Sequence, residues 1–175
     1  MDKVSIIVRT CGRPEVLRGA LESIRKQTYP DVETVVIEDG LEISRQMICT
    51  EYSDLQLRYI STGKRVGRAK AGNLGMKVAQ GKYLNFLDDD DVLYPEHIEI
   101  LLQTLQSAEE KAVYSVAEEA AAIYRKRKRT FYDVRKKVRF REPFNRMYLL
   151  HTNYLPIQSV MFEKSLFEQY GGFRE

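Results

Sequence analysis

Four aspartates stand in an unbroken row, Asp88, Asp89, Asp90 and Asp91, directly after the apolar run Tyr83 to Leu87. Carboxylates crowded at a strand end repel one another and raise each other's pKa, so the row requires a counter-charge. A divalent cation removes that conflict. Mg²⁺ or Mn²⁺ favours oxygen ligands, commonly takes one or two carboxylates from a protein, and completes its shell with substrate phosphates. Such a site suits a nucleoside diphosphate. An arbitrary Asp-x-Asp is more often a solvated acidic turn leading into a helix, here the one expected from Pro95. The strand-end position, together with two other polar loops, turns the reading toward the cation.

Those loops are Thr10 to Arg13 and Glu38 to Gly40, each closing a β-branched run. Asp39 is placed to accept hydrogen bonds from a base or ribose, as an acidic residue after a strand does in dinucleotide-binding folds. Glu38-Asp39-Gly40 also reads as a turn chosen for its backbone preferences. Asn73, with Arg68 and Lys70 nearby, lies on the helix that leads to the aspartate strand; taken alone it is a solvent-facing polar residue. No Gly-x-Gly-x-x-Gly follows the first strand, and Gly67 to Leu74 has P-loop glycine spacing but Asn73 where lysine belongs. Dinucleotide and P-loop enzymes are therefore disfavoured. His97 and His151 stand apart, outside any metal or triad motif, and read as structural. Cys11 and Cys49 form no metal-binding cluster and read as ordinary reduced thiols.

The elements that must position these loops follow from periodicity. Val4 to Arg9 reads as a strand, and Pro14 suits the first turn of a helix carrying Val16, Leu17, Ala20, Leu21 and Ile24 on one face. Glu33 to Ile37 is a second strand, Leu57 to Ile60 a third, Arg68 to Ala79 a helix, Tyr83 to Leu87 a strand, and Pro95 to Gln106 a helix. This alternation predicts an α/β fold with a mostly parallel sheet covered by helices. Ligands of such sheets bind beyond the carboxyl ends of the strands, where the three loops converge. Beyond this core, Ala112 to Tyr124 is expected as strand, 125–145 as a mobile basic loop without a sustained period, Ile157 to Phe162 as a late strand and Lys164 to Tyr170 as a short helix.

At 175 residues, 43% hydrophobic and 30% charged, the chain reads as one soluble domain, 1–175. No apolar stretch near its start is long enough for a signal peptide or a membrane span, which makes a cytosolic location the expectation. The net charge of +3 hides an asymmetry. Arg125 to Arg146 holds eleven Lys/Arg against Asp133 and Glu142, so that segment carries +9 and the remainder −6. This is a mildly acidic domain with one basic segment, not a generally basic nucleic-acid binder. Phe131, Tyr132, Phe140 and Phe144 interleave with those cations in a way compatible with stacking on nucleic acid. The segment reads equally as a loop beside an acceptor.

In order and spacing, the chain resembles the inverting glycosyltransferases of family 2, which share the GT-A nucleotide-sugar-binding fold. The resemblance rests on Val4-Ser5-Ile6-Ile7-Val8 with Thr10, Gln27-Thr28-Tyr29, Val35-Val36-Ile37-Glu38-Asp39-Gly40, Asn73-Leu74-Gly75, Phe86-Leu87-Asp88-Asp89-Asp90-Asp91, Pro95 and Gly171-Gly172-Phe173. It implies a three-layer α/β/α, Rossmann-like GT-A domain. It also implies that Thr10 and Asp39 line the base and ribose, that Asp88 and Asp89 face the ribose or diphosphate, and that Asn73 shapes the nucleotide pocket. Arg13, which closes the first loop, joins these donor-binding candidates. The resemblance further implies Asp90 as the leading metal ligand, with Asp88 beside it, for Mn²⁺ or Mg²⁺. Two departures, Glu38-Asp39-Gly40-Leu41 for Asp-Asp-Gly-Ser and Gly72-Asn73 for Arg-Asn, bear on donor identity.

The reaction implied is direct displacement at the anomeric carbon of a nucleotide-sugar donor, with uridine as the expected nucleoside. The cation would stabilise the departing diphosphate. In the resembled family the base that activates the acceptor comes shortly after Gly-Gly-Phe, so the expectation is a catalytic domain cut short, its base beyond Glu175. The acceptor would be a glycan or a lipid-linked sugar. The basic segment could then meet an anionic lipid or the membrane surface, at about 1 kcal/mol per basic residue. A nucleotidyltransferase is disfavoured by the meagre Thr10-Cys11-Gly12-Arg13 loop, and a non-catalytic binding module is the reading from another class.

Overall fold

A computed structural model of the chain describes residues 1–125 and 130–174. In chain order the elements are β1 (Val4–Thr10), α1 (Pro14–Arg25), β2 (Val32–Glu38), α2 (Arg45–Glu51), β3 (Leu57–Ser61), α3 (Arg68–Val78), β4 (Tyr83–Asp88) and α4 (His97–Gln106). They continue with β5 (Ala112–Tyr114), β6 (Ala117–Arg125), β7 (Thr130–Phe140), α5 (Arg146–His151), a 3-10 turn (Ile157–Ser159), β8 (Val160–Glu163) and α6 (Lys164–Tyr170).

The main sheet has six strands in the order β3-β2-β1-β4-β8-β5. β1 to β4 are parallel, as the alternation of strands and helices requires. β8 is the exception, running antiparallel between β4 and β5. β1 sits in the middle, and its side chains alternate between two cores. Val4, Ile6 and Val8 meet Leu17, Leu21 and Ile24 of α1, Met47 and Ile48 of α2, and Ile98, Leu101 and Leu102 of α4. Ile7 faces the other way, with Val35 and Ile37 of β2, Ala71 and Met76 of α3, and Leu84 and Phe86 of β4. Both faces of the central strands are therefore dry, which is why they read as continuous apolar runs rather than as alternating ones.

Two parts of the chain differ from the sequence reading. Ala112 to Tyr124 is not one strand but two, β5 in the main sheet and β6 in a separate antiparallel ribbon with β7. Over 125–145, where sequence suggested a loop without regular structure, Thr130–Phe140 is an eleven-residue strand. Its pairing comes from the backbone ladder with β6, which leaves no hydrophobic period in the sequence. Lys126, Arg127, Lys128 and Arg129 of the basic run, and Glu175, lie outside the described residues. Two short helices, α2 and α5, were also not anticipated; α5 is started by Asn145, whose side chain accepts from the Tyr148 N–H at 3.0 Å. Cys11 and Cys49 are free thiols. Among the described residues no helix is long and apolar enough to cross a membrane.

Candidate functional site

The register of the sheet brings the predicted residues together. Arg9, next to last in β1, lies directly across from Asp88, the last residue of β4, and Thr10 lies across from Glu38, the last of β2. Three strands therefore end at one level, and the loops that follow them share one corner.

Glu38 organises that corner from beneath. Its side chain is fully buried and accepts from the Gly12 N–H at 3.2 Å, the Ser44 N–H at 2.9 Å, the Ser44 hydroxyl at 3.1 Å and the Tyr59 hydroxyl. Burial, and then the hydrogen bond to Glu38, raise the pKa of the Tyr59 hydroxyl. Four donors satisfy this buried carboxylate, which ties the loops after β1 and β2 to β3. Asp39 ties down the loop before α3. It accepts from the Val66 N–H at 2.6 Å and the Gly67 N–H at 3.0 Å, while its own N–H donates to the Thr10 carbonyl at 2.8 Å. Asp39 thus stands at the corner, as predicted, with both carboxylate oxygens engaged by backbone.

The aspartate row is compensated from within the chain. Arg9 Nε and Nη2 donate to Asp88 Oδ1 at 3.0 and 2.6 Å. Asp89, whose side chain is 1% exposed, accepts from the Thr10 hydroxyl at 2.7 Å and from Arg13 through both oxygens. Arg13 also reaches Asp90, at 3.3 Å. Two arginines thus supply part of the counter-charge that the row requires. Thr10, Arg13, Asp88, Asp89 and Asp90 meet in one place, as sequence predicted.

Compensation is incomplete. Burial raises the pKa of Asp89 in spite of Thr10 and Arg13. Asp91 is pushed up to about 6, by burial first and then by its three aspartate neighbours. Asp90 is 55% exposed, and its contact to Arg13 is a long one at 3.3 Å. Among the described residues no three His, Cys, Asp or Glu side chains come together as a metal cage. The donor set, one accessible carboxylate beside a second that Arg9 holds by one oxygen, fits a hard cation that takes one or two protein oxygens and draws the rest from phosphate. It does not fit a cation held by the protein alone.

Asn73 is elsewhere engaged. Its carboxamide bonds both backbone groups of Phe173. His97 opens α4. Among the described residues its Nε2 is buried without a partner, and burial pushes its pKa down to about 4. Sequence reasoning missed Arg9 and Glu38. The signal for Arg9 was present: a lone charge closing the apolar run of one strand, while the adjacent strand closes on an aspartate.

Residues 5–171 match glycosyl transferase family 2. Among curated proteins, the chain is 31% identical to the uncharacterized glycosyltransferase YwdF of Bacillus subtilis (strain 168) over 172 residues, which is 98% of this chain and 62% of that protein. It is 30% identical over 114 residues to glycosyltransferase GlyG of Streptococcus pneumoniae serotype 4, covering 64% of this chain and 38% of the relative. Its fold is similar to S. aureus TarS 1-349 in complex with UDP-GlcNAc, at TM-score 0.70 and 18% identity over 95% of this chain and 47% of TarS 1-349. It is also similar to the mannosyltransferase PcManGT from Pyrobaculum calidifontis in complex with GDP-Man and Mn²⁺, at TM-score 0.71 and 19% identity over 99% of this chain and 48% of that one. The chain thus spans between about two fifths and three fifths of the length of these proteins. With the match running from the first strand to the turn after the last helix, the chain belongs to glycosyl transferase family 2.

Proposed function

We propose that the chain is the nucleotide-sugar-binding part of an inverting glycosyltransferase that moves a sugar from a nucleoside diphosphate donor, uridine-linked, to a glycan or lipid-linked acceptor. One observation carries the reading: four adjacent aspartates, two of them only weakly compensated, stand at the carboxyl ends of the central strands of a family 2 domain. Solved proteins of similar fold hold UDP-GlcNAc in one case and GDP-Man with Mn²⁺ in another, which supports a nucleotide-sugar ligand and a divalent cation.

In this reading Asp90 takes Mn²⁺ or Mg²⁺. The cation supplies charge to stabilise the leaving diphosphate. Asp88, held by Arg9 through Oδ1, offers its other oxygen to a hydroxyl of the donor. Thr10, Asp39 and Asn73 frame the nucleoside side. Arg13, which reaches Asp90 at 3.3 Å, would be free to turn its charge to the diphosphate once a cation compensated Asp90. The base that accepts the acceptor's proton is not assigned among these residues. The basic face of β7 and the segment after it, with Lys137, Arg139, Arg141 and Arg146 exposed, suits an anionic lipid-linked acceptor or peripheral contact with the cytoplasmic face of a membrane. Nucleic acid is disfavoured because the rest of the surface is net acidic.

Calorimetry with UDP and Mn²⁺ tests the site. Binding should need the metal, and Asp90→Ala should weaken the metal-dependent part by about a hundredfold, the value of a lost charged ligand. Metal-independent binding unchanged in Asp90→Ala would refute the assignment.

A further inference from the structure

The segment Gly171–Phe173 lies against α3 and is gripped there by one side chain. Asn73 Nδ2 donates to the Phe173 carbonyl at 2.9 Å, and the Phe173 N–H donates to Asn73 Oδ1 at 2.7 Å. A carboxamide that bonds both backbone groups of one residue imitates a strand partner and fixes that residue's direction as well as its place. The grip needs two glycines. A methyl group on Gly172 would overlap Asn73 Oδ1, and one on Gly72 would stand 2.8 Å from Phe173 Cε2. The ring of Phe173 thus occupies the room that a side chain at position 72 would need. The departure from Arg-Asn at Gly72-Asn73 has a steric counterpart here.

From that ring a series of contacts runs to the acidic corner. Phe173 meets Phe86 with ring centroids 5.4 Å apart and planes tilted by 59°. Phe86 is 1% exposed and carries the Arg9 guanidinium 5.3 Å from its centroid. Arg9, its side chain 12% exposed, donates twice to Asp88 Oδ1, and neither bond uses Oδ2. Each member rests on the one before. Without the Phe173 ring, Phe86 loses its tilted partner, and the cation over its face loses a fixed platform.

We infer that Phe173, held by Asn73, is a positioning residue for the donor: acting through Phe86 it fixes Arg9, and Arg9 fixes the Asp88 carboxylate with Oδ2 left to accept from a ribose hydroxyl. The inference rests on the reading of the acidic corner as a nucleotide site. A purely structural Phe173 would only cover the apolar face of α3 and β4, and a leucine would then serve as well.

A double-mutant cycle on UDP affinity, measured by calorimetry with Mn²⁺ present, separates the two. Arg9→Gln should weaken binding by about tenfold, from the loss of a charge-assisted orientation, and Phe173→Leu by about threefold. The double variant should be no weaker than Arg9→Gln, because Phe173 acts only through Arg9. Phe173→Tyr, which keeps the ring, should bind as the wild type does. Gly72→Ala, whose methyl would stand 2.8 Å from Phe173 Cε2, should displace the ring and reproduce Phe173→Leu, which keeps the test intact if the leucine variant fails to fold. Wild-type affinity in Phe173→Leu, or losses that multiply in the double variant, would overturn the inference alone. A wild-type protein that binds neither UDP nor GDP would overturn the nucleotide reading, and the inference with it.

Discussion

At the amino ends of the parallel strands, the Glu33 carboxylate is 4% exposed and accepts from the Ser5 hydroxyl at 2.6 Å and the Gln80 N–H at 2.8 Å, while the Ser5 hydroxyl accepts from the Gly81 N–H at 2.8 Å. At the carboxyl ends of the same strands stand four aspartates that two arginines only partly compensate. Both ends bury carboxylates, but at the amino end one carboxylate meets local donors, with the Arg58 guanidinium 4.0 Å away, and closes a structural junction. The carboxyl end accumulates more negative charge than its surroundings satisfy. Unsatisfied charge costs stability, so its presence at one end only marks that end as the one shaped for a ligand.

This contrast can be broken by experiment, beginning at the amino end. Glu33→Ala should cost about 2 to 3 kcal/mol in urea denaturation, since it leaves the Ser5 hydroxyl and the Gln80 N–H without their acceptor, and should leave UDP affinity unchanged. An equal fall in affinity would show that the two ends are not separate in role. A second test concerns the partly buried His97, which belongs to neither end. Its folded pKa of about 4 lies below the unfolded value, so its contribution is present above about pH 6.5 and is lost as pH falls toward 4. The loss should be about 2 kcal/mol, below full linkage because the ring is only partly buried. His97→Phe should flatten that part of the stability profile; an unchanged slope would assign it to another group.

The smallest effect has the opposite sign. Asp91 has its pKa raised to about 6, so the folded state binds its proton more tightly than the unfolded chain, and stability falls as pH rises from about 4 to 6. Asp91→Asn should therefore stabilise the protein by about 1 kcal/mol at pH 7, after allowing for solvent screening, and by nothing at pH 4. Loss of stability at pH 7 would mean that the row is satisfied after all, and the comparison between the two ends would fail.

The parallel core was legible because both faces of β1, β2 and β4 are buried, which writes unbroken apolar runs into the sequence, and because α1, α3 and α4 each bury one face. The acidic corner was legible for the same reason: a strand's end is visible where its apolar run stops. What was not legible depends on pairing between distant segments. β8 enters between β4 and β5 in the antiparallel sense, a matter of topology that no local period encodes. β7 draws its order from the backbone ladder with β6. Arg9 and Asn73 were ordinary in isolation; the sheet register and the returning Phe173 segment give them partners 79 and 100 residues away. Seven-residue α2, polar along most of its length, buries Met47 and Ile48 only and carries too short a period to detect.

Crystals grown with UDP and Mn²⁺ and measured at a wavelength where manganese scatters anomalously would test the central claim most directly. The account predicts one strong anomalous peak within bonding distance of an Asp90 oxygen and of the UDP diphosphate, with Arg13 withdrawn from Asp90. A diphosphate bound away from the aspartate row, or a row that keeps its arginine pairs with no manganese beside Asp90, would contradict it.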